Sequence, residues 1–216
     1  MLKPGGRRHP RDWQTRGVSS AVVSEIASRI VARFRWIHGH ADVWPLFTDP
    51  ILFRDVIRAL AGPFQDVRVT KVAGIEARGF VVGGAVANEL AAGFVAIRKE
   101  AGLFPGEKLL RTTSADYRGN RSQLRLQRAS LTPDDRVLLV DDWFATGSQA
   151  LAAKALIEAA GASFAGASVI VDQLRADVRR ELHPYAALVQ SQSLGPSLDL
   201  EADGSVPEER GDGAER

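Results

Sequence analysis

No cysteine occurs anywhere in the 216 residues. A disulfide scaffold and a Cys-ligated metal site are therefore both excluded. No apolar run approaches the length needed to span a membrane. No strong excess of charge is present either. The 28 Lys and Arg residues nearly balance the 26 Asp and Glu, leaving a net charge of +2 and no global field that would argue for nucleic acid. The four histidines show no zinc-type spacing and take no role. The basic N-terminus (MLKPGGRRHP) is not followed directly by an apolar stretch, so no signal peptide is read. What remains is 45% hydrophobic and 25% charged residues, at a length that suits one domain with a full core. A cytoplasmic protein with no membrane partner is the expectation.

Both ends look loose. Residues 1–18 are rich in Gly, Arg and Pro, and residues 201–216 are almost wholly polar. Neither buries enough apolar area to offset the entropy of ordering, so two disordered tails are expected around a domain at 19–200. Ser19 or Ser20 caps a first helix whose stripe is Val22, Val23, Ile26, Ile30, Phe34 and Ile37. Asp49 and Pro50 open a second helix with Ile51, Leu52, Phe53, Val56, Ile57 and Leu60 on its apolar face. From there the pattern alternates. A strand over 67–73 ends in a turn at Gly74, and a small-residue helix covers 80–92. A strand follows over 94–97, and an apolar one over 136–140. The helix over 148–160 leads to a strand near 167–171, a polar helix near 175–182 and a short strand near 187–189. Such alternation predicts an α/β fold with a mostly parallel central sheet flanked by helices. Ligands of such sheets bind beyond the C-terminal strand ends.

One segment carries the chemistry: VLLVDDWFATGSQ, residues 137–149. An apolar strand ends in Asp141 and Asp142, and a loop of small and hydroxyl residues leads into a helix. Free N–H groups at that helix start favour an anion such as a phosphate. Gly147 allows close backbone approach, and Thr146 and Ser148 bring hydroxyls. Consecutive carboxylates at a strand end can reach two groups, such as two ribose hydroxyls, and would favour positive charge developing on a ribose ring. A Walker B strand would need a partner GxxxxGK[ST] loop, which the chain lacks. A receiver domain would carry its acidic pair on the first strand.

This segment closely resembles the signature of type I phosphoribosyltransferases that binds phosphoribosyl pyrophosphate (PRPP). Gly74-Ile75-Glu76-Ala77-Arg78-Gly79-Phe80 resembles the pyrophosphate loop of the adenine phosphoribosyltransferase branch. Ala96-Ile97-Arg98-Lys99 with Leu103-Phe104-Pro105-Gly106 resembles its strand leading into a flexible lid (about 99–122), and Ser114-Ala115-Asp116-Tyr117 resembles the lid tip. The resemblance covers roughly residues 45–171. It implies the type I fold with a small N-terminal helical hood. It also implies transfer of the phosphoribosyl group to a nitrogenous base, a purine such as adenine, with release of pyrophosphate.

By the same resemblance, Asp141 and Asp142 bind the ribose hydroxyls, and Ala145, Thr146, Gly147, Ser148 and Gln149 cradle the 5′-phosphate. Glu76, Ala77 and Arg78 hold pyrophosphate, with a cis peptide expected at Glu76-Ala77. Arg98 and Lys99 reach the pyrophosphate of a neighbouring subunit in a homodimer. Asp116 stands where the adenine enzymes carry a lid glutamate that handles a proton at the base, one methylene shorter. Mg²⁺ is implied, riding on PRPP rather than in a dedicated protein site. The departures fall on base recognition. His40-Ala41-Asp42 replaces a Phe-Arg-Asp, and Trp143 and Phe144 fill positions that are typically aliphatic. Gln149 stands in place of a threonine. Another acceptor base is therefore an alternative, as is a non-catalytic regulator that keeps the fold to sense PRPP. Such a regulator usually adds a nucleic-acid module, which is not recognised here.

Overall fold

A computed structural model of the chain describes residues 19–99, 104–114 and 121–196. Both expected tails and the lid tip with Asp116 lie outside them. The first helix, α1 (Ser20–Arg33), starts as expected, with Ser19 Oγ accepting the Val22 N–H at 3.4 Å. It buries only Ile26 and Ile30, and it ends sooner than its stripe suggested, because Phe34 turns extended. Ile37 falls instead in a small hairpin of β1 (Arg35–Ile37) and β2 (His40–Asp42), where it is exposed. The turn is His38-Gly39, both at positive φ, which suits the twist of a two-residue hairpin. A short helix, α2 (Trp44–Thr48), leads to α3 (Pro50–Ala61). Asp49 Oδ1 accepts the Ile51 and Leu52 N–H groups at 3.1 and 3.0 Å, the cap that the Asp-Pro pair predicted. Ile51, expected on the apolar face, is exposed.

The remaining elements alternate as expected: β3 (Lys71–Ile75), α4 (Arg78–Glu89), β4 (Gly93–Lys99), β5 (Lys108–Thr112), β6 (Gln123–Gln127), β7 (Arg136–Phe144), α5 (Ser148–Ala159), β8 (Ser163–Asp172), α6 (Ala176–Glu181) and β9 (Tyr185–Gln190). Seven strands form one sheet in the order β5-β6-β4-β3-β7-β8-β9. Pairings from β4 through β9 are parallel, and β6 and β5 add antiparallel strands at one edge. β5 falls inside the segment read as a lid (about 99–122), and β6 begins just after it.

Gly74 is not a turn but lies inside β3. A Cβ there would collide with the Gly79 carbonyl, so the glycine lets α4 pack directly onto its own strand. One core layer joins α1, α3 and α4 to the sheet face bearing Leu138, Val140 and Ile170. The other joins α5 to the face bearing Val137, Leu139 and Val169. Helices on both faces explain why β7 reads as an unbroken apolar run.

β3 leads through α4 to β4 on one side, and β7 leads through α5 to β8 on the other. The strand order therefore reverses between the neighbours β3 and β7. A crevice opens at such a switch point beyond the carboxyl ends of the strands, between two helix starts.

Candidate active site

The sequence elements singled out above meet at that crevice. β7 continues past the acid pair to Phe144, further than the apolar run suggested, because the pair itself is buried. Asp141 Oδ1 accepts the Asp142 N–H at 2.9 Å. Burial pushes the Asp141 carboxyl well above its ordinary value, and the Asp142 charge beside it adds to the rise. The Lys99 charge offsets part of it. Gly79, at the start of α4, lies against this carboxylate: a Cβ there would stand 2.7 Å from Asp141 Oδ1.

Asp142 has a cation of its own. Its Oδ2 lies 3.1 Å from Arg78 Nε, an ion pair set off the hydrogen-bond line. The same guanidinium donates through its terminal nitrogen to the Ala41 carbonyl at 3.4 Å. Arg78 thus ties the start of α4 to the acid pair and to the hairpin. The preceding peptide, Glu76-Ala77, is cis, as the resemblance led one to expect.

Glu76 is committed elsewhere. Both its carboxylate oxygens accept from Arg98, at 3.3 and 2.9 Å, and one also accepts the Lys99 N–H at 2.9 Å. The Arg98 guanidinium thereby holds the Glu76 carboxyl below its ordinary value, against the opposing effect of burial. β4 and the loop after β3 are locked together at their carboxyl ends. Glu76 thus ties this loop to β4, and the first N–H groups of α4, which no helical carbonyl can take, stand at the same loop.

The second cradle follows β7. Gly147 adopts φ +84 at the N-cap of α5. The Thr146 hydroxyl accepts the Ser148 N–H at 3.3 Å and donates to the Ser148 hydroxyl at 3.1 Å. Thr146 is exposed, Ala145 and Gln149 are half-buried, and Ser148 is buried beneath them. Two helix starts of positive dipole thus flank two buried carboxylates, an arrangement able to hold a sugar between two anionic groups.

The aromatic pair splits. Phe144 is buried in the α5 layer. Trp143 packs on the other face against Trp36 and Phe34, with ring centroids 5.9 and 6.1 Å away, and its indole N–H donates to Gln173 Oε1 at 3.1 Å. The sequence reading missed Trp36, Gln173 and the Ala41 carbonyl as neighbours of the site. Only the departure at His40-Ala41 had drawn attention to the hairpin. Among the described residues no group of three His, Cys, Asp or Glu could hold a metal ion, and no helix is long and apolar enough to cross a membrane.

Such a crevice defines a class of proteins that hold a phosphorylated sugar by two helix starts. Residues 46–199 match the phosphoribosyl transferase domain family, and the chain belongs to it. Its relatives are more particular. It is 44% identical over 131 residues to the adenine phosphoribosyltransferase of Dinoroseobacter shibae, spanning 61% of this chain and 72% of that one. It is 38% identical over 150 residues to that of Sinorhizobium medicae, spanning 69% and 82%. Among solved structures it resembles the adenine phosphoribosyltransferase of Giardia lamblia complexed with 9-deazaadenine (TM-score 0.70, 31% identity, 76% of this chain and 97% of that one). It is equally similar to the enzyme of Rhodothermus marinus (TM-score 0.69, 32% identity, 77% and 99%).

Proposed function

We propose that this chain transfers the 5-phosphoribosyl group of PRPP to adenine, giving AMP and pyrophosphate, as a step of purine salvage. A ring nitrogen of the base attacks C1 of the ribose as the bond from C1 to the pyrophosphate oxygen breaks, and pyrophosphate carries the electron pair away. The observation that carries this reading is the placement of buried Asp141 and Asp142 between the starts of α4 and α5. One helix start suits the pyrophosphate and the other the 5′-phosphate. The carboxylates then lie where the ribose becomes cationic.

In this reading Ala145, Thr146, Gly147, Ser148 and Gln149 hold the 5′-phosphate. Ala77 and Arg78 hold pyrophosphate, and Glu76 positions their loop through Arg98. Asp116 is the proton-handling group of the lid. Lys99, whose charge is felt at Asp141, faces the same crevice. Mg²⁺ would ride on PRPP rather than in a dedicated protein site, where Asp141 and Asp142 could interact with it, and it would neutralise charge on pyrophosphate. The protein works in the cytoplasm as a homodimer. Supporting the dimer, the sheet face that carries α4 is left open over β4, β6 and β5 by the described residues. Phe94 and Leu110 stand 39% and 55% exposed on it.

The test is pyrophosphate release from PRPP and Mg²⁺ with a panel of free bases. A double Asp141→Asn, Asp142→Asn variant serves as control. Release with adenine that the variant loses is the expected result. Release with a different base would move the substrate and point to the altered His40-Ala41 segment. PRPP binding without release for any base would leave a PRPP-sensing regulator in place of the enzyme.

A further inference from the structure

The 5′-phosphate loop is backed by a short segment whose helix has no buried residue of its own. A Cβ on Gly147 would lie 2.5 Å from Val178 Cγ1 and 2.9 Å from Leu174 Cδ2, so those two side chains lie directly against the loop's backbone. Both belong to the stretch after β8. Its helix, α6, has six residues, none of them buried, and no side-chain cap. A helix this short does not persist on its own hydrogen bonds.

Leu174 and Leu182 on either side of it are buried in the α5 core layer, and a buried carboxylate outside the crevice fixes where the helix lies. Asp172, the last residue of β8, is 1% exposed. Its Oδ1 accepts the Leu174 N–H at 2.8 Å. Its Oδ2 lies 2.7 Å from Arg179 Nε, off the hydrogen-bond line, and accepts from Gln190 Nε2 at 3.0 Å. Arg179 in turn donates to Gln190 Oε1 at 3.1 Å, and Lys154 of α5 donates to the Glu181 carbonyl at 2.7 Å. The network grips the stretch at Leu174 and again at Arg179, and Val178 lies beside the second grip.

We propose that Asp172 and Arg179 are positioning residues for the 5′-phosphate. Their ion pair holds Leu174 and Val178 against Gly147 and so fixes the path of the phosphate loop, without either residue touching substrate. The inference rests on the functional reading above only in taking that loop as the 5′-phosphate site. A carboxylate buried with one cation and two N–H donors is costly to leave unpaired, so cutting either side should loosen the whole stretch.

The test uses Asp172→Asn, which keeps an acceptor for the Leu174 N–H, and Arg179→Met, which leaves the buried strand untouched should the first variant fold poorly. Ribose 5-phosphate and pyrophosphate probe the two cradles separately, each read by its competitive inhibition and by the rise it causes in the unfolding midpoint. KM for PRPP and the ribose 5-phosphate inhibition constant should rise roughly tenfold, with pyrophosphate inhibition and KM for adenine staying within about twofold. Arg179→Lys should recover part of the loss. Equal weakening of both probes, or no weakening of either in a folded variant, would overturn the proposal. If the wild-type protein turns over no PRPP, the enzyme reading fails instead, and the ribose 5-phosphate midpoint shift decides this inference alone.

Discussion

Replacing Gly147 with alanine isolates what the loop proposed to hold the 5′-phosphate requires of its backbone, and Gly161→Ala supplies an internal standard. Both glycines sit at positive φ, +84 and +90. Putting alanine in that region costs about 1–2 kcal/mol. The stiffer unfolded chain returns about 0.4–1 kcal/mol. At Gly161 the added methyl would meet only Pro133 Cγ at 3.7 Å, an ordinary contact. The net loss there should be about 1 kcal/mol. At Gly147 the methyl would meet Val178 Cγ1 at 2.5 Å, with Val178 Cβ at 3.6 Å behind it. Valine is stiff at χ1, so that contact is not relieved by a rotamer change. Leu174 Cδ2, at 2.9 Å, is the end of a longer side chain and gives more easily. Overpacking of this kind adds about 1–3 kcal/mol, for a total near 2–4 kcal/mol. Urea unfolding of the two variants measures the difference. Steady-state kinetics should show KM for PRPP raised in Gly147→Ala and unchanged in Gly161→Ala. Equal destabilisation of the two, or a Gly147→Ala protein with unaltered KM for PRPP, would refute the claim that α6 presses on this loop.

Legibility in the sequence followed length and chemistry. The parallel strands and their helices were readable because each long apolar run between turn residues has one packing solution, a sheet covered on both faces. The Asp49-Pro50 helix start was readable because a side-chain cap is local physics. The hairpin at 35–42 was not. Its strands have three residues each, and its turn is His38-Gly39 rather than a stronger Asn-Gly signal. β5 was hidden inside the segment taken as a lid and β6 just past its end, since five-residue strands with polar alternation resemble loop. Gly74 was misread because a glycine required by a neighbouring backbone looks in sequence like a turn glycine. The acid pair and phosphate loop stood out as a contiguous motif. Arg78 on Asp142, and Val178 behind Gly147, are pairings across 64 and 31 positions that no local spacing records.

Two carboxylates, one just before β7 and one inside it, should change stability with pH in opposite directions. Asp135, just before the strand, accepts from the Thr70 hydroxyl at 2.8 Å and from the Thr132 N–H and hydroxyl at 2.8 and 3.0 Å. Burial raises its pKa, but these hydrogen bonds outweigh burial and hold it below its ordinary value. Its contribution is present above the unfolded value and is lost as pH falls through the lower folded one. Asp135→Ala should cost about 2 kcal/mol at neutral pH, and the gap to wild type should close in acid; a gap that persists in acid counts against this. Asp141 works the other way. Its folded pKa lies well above 3.8, so the native protein keeps that proton to higher pH than the unfolded chain does. The associated stability is complete below the unfolded value and is lost as pH rises through the folded one. Asp141→Asn removes that titration while retaining an oxygen for the Asp142 N–H. The variant should therefore gain on wild type as pH rises from about 4 toward neutrality while losing pyrophosphate release. Urea midpoints across that range measure it, and a variant that loses ground to wild type with rising pH would show that the buried charge is not the strained element of this site.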